Sequence, residues 1–170
     1  MVIGMPTIKG DPDRERCKGC LLGKMTRTPF KDATNKTTAP LQRVYMDLCG
    51  PMKTQLIGGK SYFLLITDEY TRYRRVYFLG KKSEALENFK AFHQAVKTEM
   101  PRNQLRAVRT DGGGEFTSAA FTKYLNENGI QAELTVAYTP QQDGISEVGN
   151  RIIVGRVNAM LQCANAPKSY

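Results

Sequence analysis

The chain has 170 residues, 41% apolar and 24% charged, the composition of a soluble globular domain with room for one core. It has no run of about 18 apolar residues to cross a bilayer and no secretory signal, and its single histidine, His93, excludes a multi-histidine metal centre within the chain. The net charge of +9 is uneven: residues 1–60 carry +6, residues 61–110 carry +5 and residues 111–170 carry −2, which points to a polyanionic partner, most often nucleic acid. Four cysteines do not make a disulfide framework at this length, so a nuclear or cytoplasmic location is expected.

Residues 1–40 are basic, rich in Thr, Gly and Pro, and poor in apolar periodicity. They read as a leader, with Ala39-Pro40 as its boundary to a compact domain over 41–170. Leu41 to Cys49 alternates, with Val44, Met46 and Leu48 on one face and Tyr45, Asp47 and Cys49 on the other, which predicts a strand. Gly50-Pro51 ends it, and Gly58-Gly59 predicts a hairpin-like turn. Ser61 to Thr67 and Tyr73 to Leu79 predict two more strands, joined by a turn over Asp68 to Thr71, in an antiparallel meander. Ser83 is placed as the N-cap of a helix carrying Leu86, Phe89, Ala91, Phe92 and Val96, which Pro101 stops. A short strand over Leu105 to Thr110 follows. A helix over Ala119 to Asn128 comes next, with Gly129 at its C′ position. A fifth strand spans Ile130 to Val136. Residues 137–144 read as a loop, and 145–164 as a helix with Val148, Ile152, Val157, Met160 and Leu161 toward a core. The sum is a mixed α/β fold.

Three carboxylates stand out by position. Asp47 interrupts an apolar strand, where an unpaired charge is costly. Asp111 follows the fourth strand, and active sites of open α/β sheets gather at strand C-terminal ends. Glu147 begins the last helix, away from its apolar stripe. Three such acids in one cleft suit a hard divalent cation. Glu115 reads more simply as a turn or cap residue.

Thirty-five residues separate Asp111 from Glu147, and five local words stand in order: Tyr45 to Met52, Gly59 to Phe63, Thr67 to Arg72, Arg109 to Phe116 and Tyr138 to Gly144. Together they resemble the integrase catalytic core of copia-type LTR retrotransposons, over about residues 17–168. The resemblance implies an RNase H-like fold: a five-stranded sheet of three antiparallel strands, then strands alternating with helices, with helices on both faces. It implies metal-dependent polynucleotidyl transfer, namely 3′-end processing and strand transfer. Asp47, Asp111 and Glu147 would be the catalytic residues and the ligands of two Mg²⁺ or Mn²⁺ ions. It also implies DNA as partner, a homo-oligomer in the active form, and DNA contacts from Gln141, Gln142, Asn150 and Arg151. Cys17 and Cys20 match the second half of a zinc site whose histidines are missing, so zinc binding is expected to be incomplete.

One departure bears on activity. The family carries basic residues directly after the catalytic Glu, where this chain has Val148 and Gly149. Gly149 and Gly155 would each cost about 1 kcal/mol in a helix interior. On that reading the helix has eroded, and the rival function is a non-catalytic nucleic-acid-binding remnant.

Overall fold

A computed structural model describes residues 37–52, 54, 57–135 and 140–166, apart from the side chains at 57, 140–144 and 147. The leader with Cys17 and Cys20, and residues 136–139, lie outside the described residues.

Alternation makes the first strand. In β1 (Arg43–Cys49), Val44 and Met46 enter the main core while Tyr45, Asp47 and Cys49 take the other face. β2 (Tyr62–Asp68) pairs with it antiparallel, from Val44↔Asp68 to Cys49↔Phe63. β3 (Arg74–Leu79) continues the meander on β2. The tight turn between β2 and β3 is fixed by Asp68, whose buried carboxylate accepts the backbone N–H groups of Leu41 (2.8 Å) and Thr71 (2.8 Å) and the Thr71 hydroxyl (2.6 Å).

The chain then crosses over through α1 (Ala85–Glu99) to β4 (Ala107–Thr110), which lies parallel to β1. A single-turn helix α2 (Gly114–Thr117) and α3 (Ala119–Glu127) lead to β5 (Gln131–Leu134), parallel to β4. α4 (Pro140–Cys163) closes the described chain. The strand order is β3-β2-β1-β4-β5, the mixed five-stranded sheet expected.

Two layers cover that sheet. On one face Val44, Met46, Leu64, Ile66 and Val108 pack against Phe89, Phe92 and Val96 of α1 and Phe121 and Leu125 of α3. On the other face α4 lies across β1 and β2. Among the described residues no helix is long and apolar enough to cross a membrane.

Several expectations are corrected. Ser83 is not the cap; it sits inside a 3-10 turn, Lys82–Glu84, and Glu84 holds the start of the helix by accepting the N–H groups of Gly80 and Lys81 at 3.1 Å each. Ala91 is exposed, and Ala85 and His93 take buried places on α1 instead. Gly58 and Gly59 belong to a 3-10 turn rather than a hairpin loop. Residues 140–144 are helical, not loop: Pro140 occupies the first position of α4, where its missing N–H is no loss. The α2 turn went unforeseen because four residues carry no periodicity. Gly129, with φ +65°, does stand where a left-handed helix end needs glycine.

The buried stripe of α4 is also not the apolar one. Val148, Val157 and Met160 are exposed, at 38%, 44% and 62%, and Ile152 and Leu161 are half-buried. Ser146 and Gly149 are the buried positions.

Candidate active site

β1 and β4 pair in parallel through Arg43↔Ala107, Val44↔Val108 and Tyr45↔Arg109. Asp47 stands two residues beyond Tyr45, and Asp111 two beyond Arg109. The same register therefore brings both acids level, at the carboxyl ends of neighbouring strands about 4.8 Å apart. Between β1 and β4 the order of connection also reverses, since β1 continues to β2 on one side while β4 is reached by a crossover. Crevices at such reversals are where open α/β sheets bind ligands.

The two acids have different surroundings. Asp111 is exposed, and its Oδ1 accepts the Gly113 N–H at 3.0 Å, a turn made possible by Gly112 at φ +77°. Asp47 is half-buried, and its Oδ2 accepts the side-chain amide of Asn150 from α4. The neighbouring Cys49 thiol is held above its ordinary pKa by burial and, second, by the Asp47 charge. At pH 7 the thiol is held in its neutral form.

Asn150 is the link between helix and strand. Its Nδ2 reaches Asp47, while its Oδ1 is buried without a hydrogen-bond partner. Position 147 lies three residues earlier, on the same side of α4 as position 150. Asn150, expected to touch DNA, is thus placed against a carboxylate. Arg151 is exposed, and Gln141 and Gln142 lie on the first turn of α4.

α4 comes this close because Gly149 has no side chain. A Cβ there would lie 2.9 Å from Leu65 Cδ2, 3.3 Å from Arg74 Nε and 3.6 Å from Thr67 Oγ1. Gly149 is a contact surface on β2.

Behind the acids, on the same face, runs a charged layer. Arg43 bonds Glu69 at 2.8 Å and lies 2.9 Å from Glu133. Arg109 Nε donates to Glu133 at 2.9 Å, and Arg109 Nη1 to the Tyr45 hydroxyl at 3.0 Å. Glu115 lies half-buried against Gly113, with Lys82 Nζ 3.9 Å from its carboxylate.

Among the described residues no three His, Cys, Asp or Glu side chains converge, a set that does not include the Glu147 side chain. The donors present suit a hard divalent ion: two carboxylates at adjacent strand ends and one buried amide oxygen without a partner.

Comparison with known proteins places this architecture. Residues 37–140 match the integrase core domain family. The chain is 40% identical over 154 residues to the retrovirus-related Pol polyprotein from transposon TNT 1-94 of Nicotiana tabacum, covering 91% of this chain and 12% of the polyprotein. It spans about a tenth of the length of the curated relatives it matches. The fold is similar to a chain of the simian T-cell lymphotropic virus intasome bound to PP2A regulatory subunit B56 gamma, with TM-score 0.68 and 15% identity over 89% of this chain and 52% of that one. It is also similar to the HTLV-2 integrase catalytic core domain in complex with magnesium, in its trimeric form, with TM-score 0.53 and 22% identity over 75% of this chain and 77% of that one. The sheet order, the paired strand-end acids and these matches agree, and the chain belongs to the integrase core domain family.

Proposed function

We propose that this chain is the catalytic core of a retrotransposon integrase, performing metal-dependent polynucleotidyl transfer on DNA through 3′-end processing and strand transfer. The observation that carries this reading is the α4–β1 link: Asn150 ties Asp47 to the helix that holds Glu147, while the β1–β4 register sets Asp111 beside Asp47.

Asp47, Asp111 and Glu147 would hold a pair of Mg²⁺ or Mn²⁺ ions. Such a pair activates an attacking oxygen and stabilises the leaving oxygen of an in-line displacement at phosphorus. Asn150 fixes the rotamer of Asp47 through its amide and offers a further oxygen at the same place. Arg151, exposed one turn beyond Glu147, meets a backbone phosphate. The positive charge of residues 37–110 attracts DNA without reading its sequence. Element ends and target DNA are the partners, and a homo-oligomer is the active form. The HTLV-2 core, solved with magnesium and as a trimer, supports the divalent metal and the homo-oligomer by analogy of fold.

The test uses purified protein, Mn²⁺ and a branched DNA substrate. Joining or disjoining products that vanish in Asp111→Asn are expected. Intact DNA together with tight, salt-sensitive binding would instead identify a non-catalytic DNA-binding protein.

A further inference from the structure

An exposed aromatic lies close to the two acids. Phe78 on the edge strand β3 is 47% exposed. Its ladder partner Phe63 is 4% exposed, and Phe63 in turn pairs with Cys49. Paired residues share a face, so Phe78 lies on the Asp47 side of the sheet and at its carboxyl end with respect to β1. α4 covers β1 and β2 on that face and leaves Phe78 beyond its cover.

A single exposed phenylalanine is ordinary. What surrounds this one is not neutral. The strand leads directly into Lys81 and Lys82, both exposed. Lys60 is held at the same rim by Glu84 at 3.1 Å. Lys82 reaches the site itself: its Nζ is 3.9 Å from Glu115, Glu115 lies against Gly113, and the Gly113 N–H is bonded to Asp111. An aromatic face and a row of ammonium groups therefore border the acids on the β3 side. Stacking surface plus cations is the chemistry that holds an unpaired nucleic-acid strand.

We infer that Phe78 is a stacking platform for an unpaired base of the DNA strand leading into the Asp47–Asp111 site, with Lys81 and Lys82 binding the phosphates beside it. The inference rests on the DNA-joining reading above. Two strand spacings and two residues of rise separate Phe78 from Asp47, roughly 12 Å. At about 3.4 Å per stacked nucleotide, the platform meets a base three or four positions from the scissile phosphate.

The experiment measures binding with divalent metal chelated, so that affinity is read apart from chemistry. The probes are a DNA end with a five-nucleotide overhang and the matching blunt duplex, with 2-aminopurine placed at each overhang position in turn. In the unaltered protein one position is quenched, three or four nucleotides from the joint. Phe78→Ala loses that quenching and about tenfold in affinity for the overhang DNA, with a smaller loss on the duplex; Phe78→Trp restores both. Lys82→Ala lowers the slope of log K against log salt by about 0.7, one single-strand phosphate contact. Equal losses on both DNAs, or quenching that survives in Phe78→Ala, would overturn the platform while leaving the integrase reading intact. Failure of the unaltered protein to bind either DNA would overturn both.

Discussion

On the face of the sheet covered by α1 and α3, Val44, Met46, Leu64 and Ile66 meet Phe89, Phe121 and Leu125, all at 3% exposure or less. On the opposite face β1 and β2 present Tyr45, Asp47 and Thr67 to a helix that offers Ser146, Gly149 and Asn150, beside the Arg43 and Arg109 ion pairs. The first face is held by apolar area and ring packing. The second is held by close backbone approach and by hydrogen bonds among charged groups, which contribute less net stability but fix where each group points. One sheet thus divides two tasks: the apolar face supplies the stability, which leaves Asp111 exposed and Asp47 half-buried on the other.

The largest expected effect tests that division on the apolar face. Phe89 is fully buried and stacks on Phe121 at 5.2 Å, with Phe92 at 6.3 Å and Tyr124 edge-on at 6.0 Å. Phe89→Ala should lower the urea unfolding free energy by about 3–5 kcal/mol, through lost transfer energy and the cavity left. A loss below about 1 kcal/mol would mean that the two faces share the load.

The next prediction tests the α4 face at two adjacent positions. Gly149→Ala gains about 1 kcal/mol of helix propensity. It also drives a methyl to 2.9 Å from Leu65 and 3.3 Å from Arg74, and overpacking of this kind costs about 1–3 kcal/mol. A net loss of stability is expected. The loss of DNA joining should be larger than stability alone explains, because α4 is pushed off β2 and carries Asn150 away from Asp47. Val148→Arg, one residue away at 38% exposure, should change stability by less than about 0.5 kcal/mol. If Gly149→Ala instead melts higher, the close approach is not a constraint, and the glycine is an erosion of the helix after all.

That pair of residues also shows where sequence is readable. Alternation located β1, and apolar spacing located α1 and α3, because on their face burial and hydrophobicity coincide. The mixed five-stranded sheet, with its antiparallel meander, followed from strand positions and the resemblance together. On α4 the same rule selected Val148, Val157 and Met160 as core, and all three are exposed. A helix that packs through glycine and serine leaves no hydrophobic period to find. The Asn150–Asp47 bond and the Lys82–Glu115 approach join residues 103 and 33 positions apart, and no local pattern encodes them.

The smallest effect concerns a buried titratable group of the apolar face, His93. His93 is 3% exposed, stacks on Phe89 at 6.2 Å, and its Nδ1 lies 3.0 Å from the Tyr124 hydroxyl. Burial, and second the Lys97 charge, hold its pKa below the ordinary histidine value. The unfolded chain takes up a proton near pH 6.5, while the folded chain resists doing so until lower pH. The stability contributed by neutral His93 is therefore complete above about pH 6.5 and is lost as pH falls through the interval below it. His93 is the single histidine, the side-chain type whose ordinary pKa falls at the edge of this interval. Urea midpoints at pH 7.5 and pH 5.5 should differ for the unaltered protein and differ less for His93→Gln, which keeps a polar partner for Tyr124 without a titrating ring. An equal drop in both proteins would mean that His93 takes up its proton at no cost in the folded state. The ring would then be reached by water, and the apolar face would be less closed than its packing indicates.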